Sequence, residues 1–484
     1  MITMPNALES LCQEVLKQIT PSTERRKRVL SLAQKLEKRV EDVTKKAKVK
    51  AEVRVEGSVA KDTWLSQEPD IDIFMRLPST IPREEFGNVA LKIAKEATAG
   101  YRQVERFAEH PYLEAFVNSV RVNIVPCYNV EKGEWKSATD RTPFHTDYLK
   151  PLLNRKLRGE IRLLKQFMKG VGVYGAEIKV GGFSGYLCEL FVLNYQSFVD
   201  VLRAVAGSLG RQVIDFEGFY KKRERELALL FKEPLVMVDP VDKGRNAASA
   251  VRKERFDEFI AASRSFLKTP SKQFFFPVRM KSFAKEKILN SMMERDTSII
   301  FVKFGRVDVV PDVFWGQLYK SQRALRNLLL QNDFNIIRDA VWSNENDITM
   351  FIFEVEHLQL PMVKKHLGPP LEKPKECENF LWKHLNSPDT LSGPMIENGR
   401  WTVETRRKIL EADELLEQKL KDGGRRIGVA EEIAKAIREN FEILTDDVIL
   451  NLYTSNNDFA EFLTVYYEGK PHWLKMPSGG KIKR

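Results

Sequence analysis

Two carboxylates separated by one residue follow a Gly-Ser turn in the first quarter of the chain. Asp70 and Asp72 lie in the segment DIDIFM, whose alternating character predicts a strand. Side chains two positions apart on a strand point to the same face, so the two carboxylates are expected to converge. Like charges held together favour a divalent cation between them, and paired metals clamp a triphosphate while a hydroxyl attacks in line. The spacing predicts a phosphoryl-transfer site that uses Mg²⁺, which suits hard oxygen ligands.

Gly57-Ser58 precedes this strand and offers a tight turn where backbone N–H groups and a hydroxyl can meet phosphate. The alternative interpretation is structural, because acidic pairs with this spacing also occur on many solvated strands. The preceding turn, and the apolar Ile71, Ile73 and Phe74 expected on the opposite face, favour the binding site.

Helices and strands alternate around these motifs and predict an α+β head over residues 1–150. Helices are predicted over 6–49, with a break at 21–23, and over 83–99. Strands are predicted over 49–56, 70–75, 113–116 and 120–125.

The predicted secondary structure divides the rest of the chain into three parts. Residues 151–265 predict a helical domain, residues 266–375 a small α+β module of the kind that binds RNA, and residues 376–484 a mostly helical part. The clearest predicted helices are 157–170, 185–205, 253–267 and 313–332, and the strands are 298–304, 334–342 and 347–355. The chain ends in a basic tail, Lys481-Ile482-Lys483-Arg484, for which we expect disorder. The predicted fold class is therefore α+β and multidomain.

The composition constrains the number of domains, the type of binding partner and the cellular location. At 484 residues the chain suggests three or four domains, and its net charge of +11 favours a polyanionic partner, although solubility alone also accounts for a basic chain. Four widely spaced cysteines suggest neither a zinc site nor a disulfide framework. The sequence has no apolar run of membrane-spanning length and no signal-peptide pattern, so a cytoplasmic location without membrane association is expected.

The order of these motifs resembles the nucleotidyltransferase superfamily of DNA polymerase beta, poly(A) polymerases and CCA-adding enzymes. Further segments, in family order along most of the chain, are similar to those of the archaeal (class I) CCA-adding enzymes. The segments are 57–63 (GSVAKDT), 70–74 (DIDIF), 124–128 (IVPCY), 140–145 (DRTPFH), 162–165 (RLLK), 174–177 (YGAE), 182–190 (GFSGYLCEL), 239–242 (DPVD) with Arg245-Asn246, and 397–401 (ENGRW).

The resemblance implies template-independent addition of C, C and A to the tRNA 3′ end from CTP and ATP. It implies a catalytic head with a polymerase-beta-like fold at 1–150, a nucleotide-binding domain at 151–265, and tRNA contacts to the acceptor and T-stem region from 266–375 and 376–484. A homodimer is a further implication. The residues implied to bind the nucleotide are Ser58, Lys61, Thr142, His145, Lys165, Tyr174 and, for reading the base, Arg245. Without the resemblance, Lys165 would be interpreted as a solvent-exposed lysine on an amphipathic helix and His145 as a structural histidine. Arg245 would be interpreted as a salt-bridge partner of Asp239 or Asp242.

One position departs from the family pattern V-D-x-V-P-C-Y. Asn123 stands where the third catalytic and metal-binding carboxylate is expected. An amide can lend an oxygen to a metal, but it has no charge and is no useful base. We therefore expect nucleotide and tRNA binding to persist and turnover to be severely reduced.

Three explanations of Asn123 are open. The residue was changed deliberately to trap a substrate complex, or the natural protein is a weakened tRNA-binding relative, or Asp140 or Glu114 substitutes. The last is disfavoured, because neither carboxylate has the expected place on the strand. A terminal transferase with another acceptor or nucleotide, of the poly(A) or oligoadenylate type, is the remaining functional alternative.

Overall fold

The computed structural model describes residues 4–107, 109–278 and 281–474. Within those ranges the chain forms two compact units, residues 4–278 with 471–474, and residues 281–470. No helix in the described part of the chain combines the length and the apolar character needed to cross a bilayer. The predicted basic tail lies outside the described residues.

The first unit begins with an α+β head. Its elements are α1 (Met4–Ile19), α2 (Thr23–Lys46), β1 (Glu52–Glu56), α3 (Gly57–Ala60), β2 (Asp70–Pro78), α4 (Arg83–Ala97), β3 (Arg102–Phe107), β4 (Pro111–Val117), β5 (Val120–Asn129) and α5 (Arg141–Leu149). The break predicted at 21–23 is confirmed, because Ser22 accepts a hydrogen bond from the Arg25 N–H and caps α2.

The strands of the head form one mixed sheet in the order β1-β2-β5-β4-β3, in which β2 and β5 run parallel and the other pairs are antiparallel. Helices α2 and α4 cover one face, where Ile71 and Ile73 are fully buried. The prediction for Phe74 was wrong. Its position two residues after Asp72 puts it on the face of that carboxylate, and it is not part of the core under α2 and α4. The opposite face of the sheet carries polar side chains.

The second half of the first unit is mainly helical. Its elements are α6 (Arg155–Val171), α7 (Gly185–Tyr195), α8 (Phe198–Ala206), β6 (Gln212–Ile214), α9 (Glu224–Leu230), β7 (Leu235–Met237) and α10 (Lys253–Lys268). The predicted helix 185–205 is two helices, because Gln196 has a φ of 69° and Ser197 caps α8. Helix α1 packs on α6, and its Val15 and Ile19 belong to this helical core and not to the core of the head.

The second unit contains two antiparallel sheets. Its elements are α11 (Lys285–Arg295), β8 (Ser298–Phe304), α12 (Pro311–Gln331), β9 (Ile336–Ser343), β10 (Thr349–Val355), β11 (Val363–Pro370), α13 (Pro374–Leu385), β12 (Thr390–Glu397), β13 (Arg400–Arg406), α14 (Ala412–Leu420), α15 (Glu431–Glu439), β14 (Phe441–Thr445), α16 (Leu450–Ser455) and α17 (Asn457–Glu468). The larger sheet, β14-β8-β10-β9, has α12, α14 and α15 on one face and α11, α16 and α17 on the other. The smaller sheet, β11-β13-β12, packs with α13.

The predicted strands and helix of the α+β module are confirmed within a few residues. The segment 376–484, whose composition predicts mostly helix, contributes three strands, β12, β13 and β14. The predicted boundary between residues 375 and 376 runs through the second unit, because β11 pairs with β13 and β14 pairs with β8. Local sequence does not signal these pairings, since the partner strands lie far apart in the chain.

Candidate active site

A row of polar side chains crosses the face of the head sheet that is opposite α2 and α4. Glu56, Asp72, Asn123 and Glu114 are successive register partners on β1, β2, β5 and β4. Register partners on neighbouring strands project from the same face, so four polar side chains lie side by side. Glu114 does not have the place on β5 that the family pattern gives to the third carboxylate, but β4 sets it directly opposite Asn123.

Asp70 lies two residues before Asp72 on the same face and has a cationic partner. Its register partner on β5 is Arg121, whose Nε donates to Oδ1 of Asp70 at 3.0 Å and whose second nitrogen donates to Oδ2. Arg121 also approaches Glu114, with 3.9 Å between its nitrogen and Oε2. The guanidinium thus neutralises one of the two carboxylates that the sequence analysis singled out.

Asp72 has no cationic partner within the described residues; its side chain instead accepts a hydrogen bond from Nδ2 of Asn123 at 2.9 Å. Burial raises the pKa of Asp72 to about 6, with a smaller contribution from the charge of Asp70, while the Asn123 hydrogen bond opposes the rise. Gly57 has a φ of 69°, and a Cβ atom there would clash with Oδ2 of Asp72. The glycine is therefore required both by the backbone conformation and by the approach of the carboxylate.

These donors fit one divalent cation better than two. Asp70 and Asp72 supply two carboxylates, and burial makes the charged form of Asp72 less stable than it would be in water, so a cation beside it would stabilise that form. Within the described ranges no group of three or more His, Cys, Asp or Glu side chains is arranged to hold a metal ion. Asn123 presents a nitrogen to Asp72 where a third carboxylate would present oxygen.

A buried charge cluster lies behind the turn that carries Ser58. Glu189, on α7, accepts hydrogen bonds from Lys61 and from Thr63 Oγ1, the latter at 2.6 Å, and Lys165 Nζ is 3.4 Å from its carboxylate. Lys61, Lys165 and Glu189 are each at most 5% exposed. Burial alone would raise the pKa of Glu189, but the two lysines outweigh it and lower that pKa, so the carboxylate is ionised.

Tyr174 joins this cluster through its hydroxyl. A Cβ atom at Gly185 would lie 3.0 Å from the Tyr174 hydroxyl and 3.4 Å from Lys165 Nζ, so both groups reach the first turn of α7. The backbone N–H groups at this helix end and the lysine together provide a positive environment. Lys61, Lys165 and Tyr174 were predicted as nucleotide ligands, and the structure brings them together around Glu189, a residue that the sequence analysis did not single out.

A second cluster forms around the buried Asp239. Its Oδ2 lies 2.9 Å from His145 Nε2 and 2.6 Å from Arg245, and its Oδ1 accepts from the Tyr186 hydroxyl at 2.9 Å. Despite burial, these partners hold the pKa of Asp239 well below its ordinary value. Arg245 therefore makes the salt bridge with Asp239 that was one sequence interpretation, whereas Asp242 pairs with Arg141.

Tyr186 connects the two clusters. Its ring stacks on His145 with centroids 4.0 Å apart, and Lys61 Nζ lies 5.9 Å from the ring centroid. Ser58, in α3, and Thr142, in the first turn of α5, are both half-buried near the ends of these elements. Asp140 is committed elsewhere, because its carboxylate accepts hydrogen bonds from the backbone of Tyr128 and Ser137. The segment GFSGYLCEL, which contains Tyr186 and Glu189, was the sequence signal for both residues.

Comparison with known families divides the chain into three matched segments. Residues 35–145 match the nucleotidyltransferase domain, residues 159–276 the second domain of tRNA nucleotidyltransferase, and residues 295–446 the C-terminal domain of CCA-adding enzyme.

Similar proteins match over nearly the whole chain. The CCA-adding enzyme of Methanosarcina barkeri is 36% identical over 458 residues, covering 94% of this chain and 97% of that protein. The enzyme of the same name from Methanosarcina acetivorans is 35% identical with the same coverage. That of Methanothermobacter thermautotrophicus is 34% identical over 456 residues, 93% of this chain and 96% of that protein.

Proposed function

The chain belongs to the CCA-adding enzymes and is a tRNA nucleotidyltransferase, and on that premise we propose that Asp70 and Asp72 are its catalytic carboxylates. The observation that carries this assignment is the contact between the Gly57 turn and Asp72, which puts a carboxylate against the backbone of a phosphate-binding type of turn. Its substrates are tRNA, CTP and ATP, and its product is tRNA extended by C, C and A.

The two clusters support the roles proposed for the nucleotide-binding residues. Ser58 lies in the turn itself, and the buried Lys61 and Lys165 lie behind it, bonded to Glu189 and Thr63. A triphosphate at the turn would meet the Ser58 hydroxyl and the net positive charge of these two lysines. His145 and Arg245 converge on Asp239, which fixes the guanidinium so that its remaining N–H groups can donate to a base edge. Thr142, three residues before His145 on α5, and Tyr174, whose hydroxyl reaches the first turn of α7, supply further hydroxyl donors.

We propose Mg²⁺ as the divalent ion, held by Asp70 and Asp72 with the amide oxygen of Asn123 as a further ligand if that amide turns over. The ion supplies charge stabilisation to the transferred phosphoryl group. The protein's own contribution is to hold Asp72 against Gly57, to keep water from the buried lysines, and to orient the nucleotide.

Asn123 is proposed to limit turnover. The family pattern has a carboxylate there, and the amide can neither carry negative charge nor accept the proton of the attacking hydroxyl. Arg121 is also expected to reduce turnover, because its ion pair with Asp70 competes with a metal ion for that carboxylate. A second candidate is therefore a tRNA-binding relative with residual activity, which the Arg121–Asp70 pair favours.

The segments matched to the second and C-terminal domains support the proposed domain roles. We assign the head at 1–150 to catalysis, 151–265 to nucleotide binding, and 266–375 with 376–484 to the acceptor and T-stem region of tRNA. The homodimer and the cytoplasmic location stay predictions.

The test supplies labelled CTP or ATP, Mg²⁺ and tRNA lacking its terminal nucleotides, with a generic oligonucleotide as the alternative acceptor. Incorporation confined to tRNA, with C before A, is the expected result. Asp72→Asn should abolish incorporation and retain tRNA binding, while Asp42→Asn, on the exposed side of α2, should leave both unchanged. Equal labelling of the oligonucleotide would point to another terminal transferase, and full activity of Asp72→Asn would disprove the assignment.

A further inference from the structure

A cationic cleft lies between α1, α2 and the first turns of α6, and nothing in the proposed reaction uses it. The cleft has a volume of about 500 Å³ and is lined by five basic side chains and one carboxylate. The basic residues are Lys17, Arg26, Arg155, Arg158 and Arg162, and the carboxylate is Asp62. We refer to this feature as the α6 cleft. Four positive charges are thus in excess within a concave surface, an arrangement that attracts anions.

The single carboxylate is already shared by two of the arginines. Arg26 Nε lies 3.0 Å from Oδ1 of Asp62, and Arg162 donates to the same oxygen at 2.6 Å. Arg162 is 3% exposed and also donates to the backbone oxygen of Trp64. These contacts fix two guanidinium groups in the lining of the cleft.

The other three basic side chains have no ion-pair partner among the residues that the structure describes. Arg158 is half-buried, and its Nε is enclosed and makes no hydrogen bond. A buried donor without a partner costs free energy that an anion accepting from it would recover. Lys17 and Arg155 are exposed at the border of the cleft, where their long side chains can reach a bound ligand.

Helix polarity makes this placement of charge unfavourable unless an anion is bound. Asn154 caps α6 by accepting from the Leu157 N–H at 2.9 Å, so Arg155 is the first helical residue and Arg158 the fourth. The first turn of a helix favours negative charge, yet α6 has no acidic residue there. An anion in the cleft would therefore satisfy both the arginines and the positive helix end.

We propose that the α6 cleft is a second phosphate-binding site, which takes a ligand with two or more linked phosphate groups. Arginine forks pair with phosphate oxygens through two parallel hydrogen bonds, and the volume exceeds that of one phosphate. The ligand is either a free polyphosphate or nucleotide, or the backbone of a bound RNA. Both sources present the same chemistry to the arginines.

The first arm of the test measures binding of tripolyphosphate to the full-length protein by calorimetry. Arg155→Gln/Arg158→Gln should weaken one binding event at least tenfold. The matched control Lys35→Gln/Lys38→Gln removes two exposed charges from α2 outside the cleft and should change it less than twofold. Lys17→Gln, exposed on α1, tests the same site without touching α6 and should weaken binding in the same direction. Unchanged binding in both cleft variants would overturn the proposal.

The second arm distinguishes the two sources. The salt dependence of tRNA binding reports the number of phosphates contacted, at a slope of about 0.7 to 0.9 per phosphate. If the ligand is RNA backbone, the cleft variant should show a slope smaller by 1 to 2 than the wild type, and the control variant should not. If the ligand is a free polyphosphate, tripolyphosphate binding falls and the slope stays. Thermal unfolding of each variant establishes that the fold is retained.

Discussion

Replacing Asn123 with aspartate tests the central deduction about this site. In the structure Asn123 donates to Asp72 across 2.9 Å, and Asp72 already has a pKa raised to about 6. The substitution replaces that donor by a carboxylate. Two negative charges about 4 Å apart repel by about 1 kcal/mol in water and by about 4 kcal/mol at an effective dielectric constant of about 20. Without metal, Asn123→Asp should therefore lose about 1 to 4 kcal/mol of unfolding free energy.

Divalent metal should reverse that loss. A ligand present at 100 times its dissociation constant stabilises the folded state by about 2.7 kcal/mol, which is enough to offset most of the repulsion. The assay is urea unfolding in EDTA and in Mg²⁺ or Mn²⁺, and the wild type should respond less to metal than Asn123→Asp. In parallel, CTP incorporation by Asn123→Asp should exceed that of the wild type by about 100-fold or more, the usual contribution of a positioned proton acceptor.

Asn129→Asp provides the matched control, because Asn129 lies on the same strand and face at an exposed position. It should change neither stability nor metal response. A variant Asn123→Asp that is as stable as the wild type in EDTA, gains nothing from Mg²⁺ and incorporates CTP at the wild-type rate would contradict the role given to Asn123.

Three further outcomes follow from buried groups of the same unit. Glu189→Gln leaves two buried ammonium groups without their counter-charge and should cost about 3 to 5 kcal/mol in urea unfolding; a loss below 1 kcal/mol would contradict the buried network. Glu56 is fully buried, and although Arg54 Nε lies 3.1 Å from one of its oxygens, burial raises its pKa from 4.5 to about 7. Because the folded-state pKa is the higher one, stability should fall as the pH rises from 4.5 to 7, by up to about 3 kcal/mol, and Glu56→Gln should remove this pH dependence in unfolding experiments. Gly57→Ala should destabilise the protein by about 1 to 3 kcal/mol and abolish incorporation, since the added Cβ displaces Asp72; wild-type incorporation would rule out the close approach.

The sequence was sufficient where a feature depends on residues close together in the chain. Alternation put Asp70 and Asp72 on one face and Ile71 and Ile73 on the other, which the sheet confirms. The same rule applied strictly would have moved Phe74 to the carboxylate face. The break before α2 was visible because a Pro-Ser-Thr sequence supplies a cap locally.

Features that depend on strand register could not be predicted in this way. Glu56 and Glu114 belong to the same polar row as Asp72 only because β1 and β4 pair in a particular register. A shift of one residue would turn either carboxylate to the other face, and nothing local in the sequence fixes that register. Strands β12 and β13 escaped prediction for a related reason, because their residues are mostly half-exposed and lack the apolar alternation that marks a core strand.

The charges of the polar face distinguish Asp72 from the carboxylates around it. Asp70 is paired with Arg121, Glu114 with Arg106, and the carboxylate of Glu56 lies 3.1 Å from Arg54 Nε. Among these four carboxylates, and within the described residues, Asp72 is the one whose hydrogen-bond partner is neutral. Protein cations therefore balance its neighbours and leave its charge for an external cation. An aspartate at position 123 would add a second uncompensated charge beside Asp72. We therefore expect the wild-type site to bind a divalent ion more weakly than Asn123→Asp does.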